Sequence, residues 1–205
     1  MAFALAVQSQ GTAQIDRFSW ATSRERLGAE LRSIEVRLGS PSTRSNSEAV
    51  FSIGSCRVGY WIDELNRIKR ITAEVTAACH PSPEGVPITP AATFGALFRP
   101  GSHYGAECLG SCGSAETPTL VLTRVGRINQ EESWSLFFHA TDSAASEAWL
   151  RALPPSAAAR VAAEGRLIDV GNPPQGVIPL LQQARIRRIE LNLFRPHAPP
   201  VASSP

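Results

Sequence analysis

Lysine is almost missing from this chain: Lys69 is the single lysine, and arginine supplies the rest of its 20 basic side chains. Beside a high alanine and proline content, this reads as codon bias and not as an arginine-specific function. The formal charge is only +2 and the basic residues are scattered, so no nucleic-acid partner is expected. No apolar run approaches the ~20 residues of a membrane helix, so no membrane partner is expected either. Met1 to Val7 is apolar but short, with no basic leader, which points to a cytoplasmic protein. In that compartment Cys56, Cys79, Cys108 and Cys112 are expected as free thiols. There is no internal repeat and no phosphate-cradling glycine loop, so nucleotide binding has no support.

What the chain does have is a globular composition. Hydrophobic residues make up 43% of 205, enough for one domain with a real core. Three regions are expected: an N-terminal extension over 1–48, an α/β domain over 49–195 and a frayed Pro-rich tail over 196–205. In the extension, Thr22 and Glu25 form a capping-box pattern. Leu27, Leu31, Ile34 and Leu38 follow at helical spacing and stop at Gly39.

The most informative stretch runs from Ala49 to Leu65. The apolar run 49–53 suits a buried strand, and Gly54-Ser55-Cys56 suits a tight turn. Val58, Trp61, Ile62, Leu65 and Ile68 then have the spacing of a helix with one buried face. Strand, turn, helix would place Cys56 at a helix N-terminus, where a thiolate is favoured. The competing reading of Cys56 is a small buried hydrophobe.

Further on, Arg70 to Ala78 alternates like a strand, and Thr89-Pro90 opens a short helix to Leu97. Residues 101–118, rich in Gly and Cys, read as a surface loop. Two apolar strands at 119–125 and 133–140 flank a hairpin connection, and a helix from 143 ends at Pro154-Pro155. An alanine-rich helix is expected from Ser156. Strand 166–170, helix 177–185 and strand 186–194 then form a strand–helix–strand unit. The expected fold is therefore α/β, a mostly parallel sheet flanked by helices with an antiparallel hairpin near 119–140.

Phe51-Ser52-Ile53-Gly54-Ser55-Cys56 resembles the opening signature of the GSCFA family, which is similar to the SGNH (GDSL-like) hydrolases. Scattered blocks over 49–197 extend the likeness: Gly85 to Ala91 with Leu97, Phe137 to Thr141 with Glu147-Ala148-Trp149, and Ile189 to Pro196. The family motif continues Phe-Ala, where this chain has Arg57-Val58. The resemblance implies a hydrolase or acyltransferase acting on a small-molecule or glycan ester. Cys56 would then be the nucleophile, Ser55 a less favoured one, and backbone N–H groups near Ser55 to Arg57 the oxyanion donors. His197, or else His139, would be the general base. SGNH enzymes place an aspartate three residues before that late histidine, and position 194 here is phenylalanine.

That departure keeps a non-enzymatic alternative open: an interaction protein, such as an immunity or assembly subunit, with a protein partner. A second enzyme reading pairs Cys56 with His103, because Ala96 to Tyr104 is similar to the histidine strand of papain-like cell-wall amidases. No cofactor is expected unless Cys79, His103, Cys108 and Cys112, with His80 beside them, hold a structural zinc. The paired Cys-x-x-Cys knuckle is absent. Asp169 and His139 are each expected at a strand end, and Trp61 and Trp149 on buried helix faces.

Overall fold

The computed structural model describes residues 27–82, 86–107, 119–128, 130, 132–140, 143–152, 155, 166–167 and 176–194. Nine strands form one sheet, and every pairing in it is antiparallel. The strands are β1 (Thr43–Arg44), β2 (Glu48–Ile53), β3 (Cys56–Ile62), β4 (Ile68–Glu74), β5 (His103–Glu107), β6 (Thr119–Arg127), β7 (Ser133–Ala140), β8 (Arg166–Leu167) and β9 (Ile186–Phe194). Across the sheet their order is β1-β2-β3-β4-β9-β7-β6-β5-β8. Among the described residues four helices accompany them: α1 (Leu31–Leu38), α2 (Phe94–Leu97), α3 (Ser143–Ala152) and α4 (Ile178–Gln183).

This corrects the expected α/β fold with a mostly parallel sheet. The decisive difference lies at Cys56–Ile62, which is a strand and not a helix. Ile53 pairs with Cys56, so Gly54-Ser55 is a two-residue hairpin turn, and Gly54 carries a φ of 58°. Glycine at the first turn position takes that positive φ at no steric cost, as tight hairpins require. The next turn is built differently. Asp63 Oδ1 accepts the Leu65 and Arg67 N–H groups, each at 2.9 Å, while Asn66 takes the left-handed conformation at φ 56°. Burial works to raise the Asp63 pKa, but these hydrogen bonds and the Arg67 guanidinium outweigh it and hold it below the usual value.

The strand at 68–74, the hairpin of β6 and β7, α3, α4 and β9 fall where sequence patterning predicts them. The 166–194 unit does not close as strand–helix–strand, because β8 lies at one edge and β9 in the middle. The helix expected from Thr89 is shortened to Phe94–Leu97, with Thr93 Oγ1 accepting the Ala96 N–H at 3.4 Å. The expected loop over 101–118 contains β5; its part from 108 to 118, like the capping box at Thr22, the alanine-rich helix from Ser156, Asp169, His197 and the tail from 196, lies outside the described residues.

One sheet face packs the core. Ala49, Phe51, Tyr60, Ile71, Ile189, Leu191, Phe138 and Leu122 join Leu31 and Ile34 of α1, Trp149 of α3 and Leu181 of α4 in one cluster. The residues of α1 within the expected extension therefore share the core of the sheet. The outer face carries the other register set: Glu48 and Val50 on β2, Arg57, Gly59 and Trp61 on β3, Arg70, Thr72 and Glu74 on β4, Arg188, Glu190 and Asn192 on β9, and Phe137 and His139 on β7. Period-2 alternation thus separates an apolar layer from a charged one.

Candidate functional site

Cys56, the expected nucleophile, is bonded to Cys79, with Cα atoms 4.8 Å apart. Both are buried, at 4% and 3% exposure, in a small cluster with Val58. This corrects the free-thiol expectation for these two residues, because a disulfide sulfur is neither a thiolate nor a proton donor. Ser55 sits in the exposed turn beside it and donates its hydroxyl to the Ala78 carbonyl. Thr76 Oγ1 accepts the Ala78 and Cys79 N–H groups at 3.3 and 3.0 Å. The turn of β2–β3 is therefore tied to the segment after β4 by one covalent bond and one hydrogen bond.

None of the described partner histidines meets Cys56. His139 is on β7, three strands away across β4 and β9, and on the outer face, while Cys56 points to the inner one. His103, on β5, lies two strands further. The same separation holds Cys79 and His103 apart as zinc ligands, and Cys79 is engaged in the disulfide. Cys108 and Cys112 lie outside the described residues. Among the described residues no group of three or more His, Cys, Asp or Glu is placed to hold a metal.

His139 belongs instead to a polar cluster centred on Glu190, whose residue is 6% exposed. Asn192 Nδ2 donates to Glu190 Oε1 at 2.8 Å, and Arg70 Nε lies 3.3 Å from the same oxygen. Arg70 Nε also donates to Asn192 Oδ1 at 3.0 Å, and its guanidinium lies 5.6 Å above the Trp61 ring. Arg188 Nη2 is 3.8 Å from Glu190 Oε2 and 3.3 Å from His139 Nδ1. Arginine can only donate, so His139 Nδ1 accepts and the imidazole is neutral. Its pKa is lowered to about 3, first by burial and then by Arg188 and Arg70. The 3.7 Å approach of His139 Nε2 to Glu190 is accordingly not an ion pair at neutral pH. With so low a pKa the imidazole is a weak proton acceptor at neutral pH.

A groove opens on the outer face of β2–β4, with a volume of about 380 Å3. It is lined by Glu48, Val50, Arg57, Gly59, Thr72 and Glu74, and closed at one end by Ser55, Thr76 and Cys79. Its floor is Gly59. A Cβ there would lie 2.6 Å from Glu48 Oε1 and 2.7 Å from Thr72 Oγ1, so these two oxygens occupy the space a side chain would fill. Sequence reading missed this groove because it treated residues 58–68 as a helix. The signal was present in the alternation Arg57, Gly59, Trp61, which sets every second residue on one face.

Comparison with family models, with curated proteins and with solved structures finds nothing that matches this chain. Among the described residues no helix is long and apolar enough to cross a membrane.

Proposed function

We propose that this protein is a non-enzymatic binding module of an oxidising compartment, working through the outer face of β2–β4. The Cys56–Cys79 disulfide carries the reading. It takes the resemblance-implied nucleophile out of play, and it braces the groove end where Ser55, Thr76 and Cys79 meet. Buried disulfides persist where thiol pools do not reduce them, so the bond favours export over the cytoplasmic location expected from composition. A rigid wall beside a charged groove suits recognition, because little ordering entropy is lost when a ligand docks.

The test is mass-resolved alkylation of the protein isolated from its host, without reductant. Cys56 and Cys79 are expected to stay unlabelled until both reductant and denaturant are added. Rapid labelling of Cys56 in the native protein, together with hydrolysis of a short-chain nitrophenyl ester that Cys56→Ala abolishes, would overturn the reading and restore the hydrolase.

A further inference from the structure

We propose that the groove over Gly59 is a binding site for a small zwitterionic amino acid, its ammonium held by Glu48 and its carboxylate by Arg57. The inference rests on the binding-module reading and names the ligand class of that site. Three observations converge on it.

The first is the pair of oxygens over the floor. Glu48 Oε1 and Thr72 Oγ1 both reach above Gly59, and among the described residues neither has a hydrogen-bond or ion-pair partner. A carboxylate and a hydroxyl meeting over bare backbone present acceptors to an incoming N–H donor. An ammonium, with three donors and no acceptor, satisfies both at once. The second is Arg57, an exposed residue that lines the same groove and has no ion-pair partner among the described residues. It stands two residues from Gly59 on the same face, so about 7 Å along the strand. Its fork-shaped guanidinium is suited to a carboxylate. Glu74, on the neighbouring strand, is the competing acceptor. It faces Arg188 at the register position beyond it, and that second guanidinium competes with Arg57 for its carboxylate. The third is size. The volume of about 380 Å3 falls in the range of small-molecule sites.

Glu48 and Arg57 thus line one groove over a floor with no side chain, and the arrangement matches a molecule with both ends charged. A diamine would leave Arg57 unmatched, and a dicarboxylate would set its second charge against Glu48.

The experiment is calorimetric titration of the full, disulfide-intact chain with each of the twenty amino acids, with cadaverine and glutarate as controls. At least one amino acid is expected to bind saturably at one site, with both controls at least about ten-fold weaker, the scale of one lost charge-assisted hydrogen bond. Glu48→Gln and Arg57→Gln are each expected to weaken binding by about ten-fold. Gly59→Ala is expected to abolish it in a protein whose near-ultraviolet circular dichroism shows it still folded, since the added methyl displaces Glu48 Oε1 and Thr72 Oγ1. A folded protein that binds none of the amino acids saturably overturns the proposal, as does binding unaffected by Glu48→Gln and Arg57→Gln. Cys56-dependent esterase activity would instead sink the binding-module reading. An inert Cys56 with an empty titration would sink the amino-acid site alone.

Discussion

Glu190 sits in the middle of β9 with Arg70, Arg188 and Asn192 directed at its carboxylate. Removing it leaves two guanidinium groups facing each other across a low-dielectric face. Their side chains retain 43% and 30% exposure, so water screens part of that repulsion. Glu190→Ala is therefore expected to cost about 2–3 kcal/mol in urea unfolding, less than a fully buried broken pair. His139, beside it, gives a pH signature. Its folded pKa of about 3 lies below the ordinary value of 6.5, so the unfolded chain takes up a proton that the folded one refuses. The stability it supports is complete above pH 6.5 and is lost progressively as the pH falls towards 3. Between pH 6 and 5 this residue should contribute a slope of up to about 1.4 kcal/mol per pH unit. His139→Gln is expected to flatten that part of the stability profile, as followed by unfolding at stepped pH.

Among the elements, the β2–β3 hairpin and the segment after β4 depend on a crosslink between residues 23 apart in sequence. Loop-closure entropy for that length predicts about 3 kcal/mol, so the Cys56→Ser/Cys79→Ser double variant should lose roughly that amount in denaturant midpoints converted to free energy. On the far side of the sheet, a Cβ on Gly126 of β6 would lie 2.4 Å from the Trp134 ring of β7. The ring is a rigid body at a cross-strand position, so Gly126→Ala should destabilise by about 1–3 kcal/mol, measured in the same way. Gly59→Ala meets the flexible end of Glu48 and the Oγ1 of the stiffer, β-branched Thr72, and should cost no more than about 1 kcal/mol. The contrast separates a glycine kept for packing from one kept as a groove floor. The β3 segment also shows how an element was misread. Cys56, Val58, Tyr60 and Ile62 alternate onto the core, yet Trp61 and Leu65 complete a helical pattern equally well. Trp61 was counted as core, whereas it lies on the outer face under Arg70. Apolar spacing alone does not decide such a case, because an arginine can cover an aromatic ring as a core does.

At the scale of the whole molecule, β9 is the last described strand and lies between β4 and β7. Its Ile189 and Leu191 are 0% and 1% exposed at the centre of the core. The two antiparallel ribbons, β1–β4 and β5–β8, are joined only through it in the sheet order. A chain ended before Ile186 is expected to show no cooperative thermal transition by near-ultraviolet circular dichroism. A sharp transition in that truncated chain would mean that the ribbons form a core without β9. The same topology makes the described fold rich in distant pairings, such as Arg70 with Asn192, so folding on the millisecond-to-second scale is expected from stopped-flow refolding.

By itself the sequence determined the local elements whose signals are local: the β6–β7 hairpin, the helix from 143, the helix within 177–185 and the last strand at 186–194. Each carries its own period and its own stop, so no distant residue is needed to define it. Tertiary structure alone decided the rest. Whether Cys56 is a thiolate or half of a disulfide depends on where Cys79 lies, and that follows from β4 folding back on β3. The sheet is antiparallel because residues 56–62 form a strand that turns back on β2, and β9 then enters between β4 and β7, burying Ile189 and Leu191 across strands far apart in the chain. The groove over Gly59 exists because three strands bring Glu48, Arg57 and Thr72 onto one face, a proximity set by backbone pairing and not by spacing along the sequence.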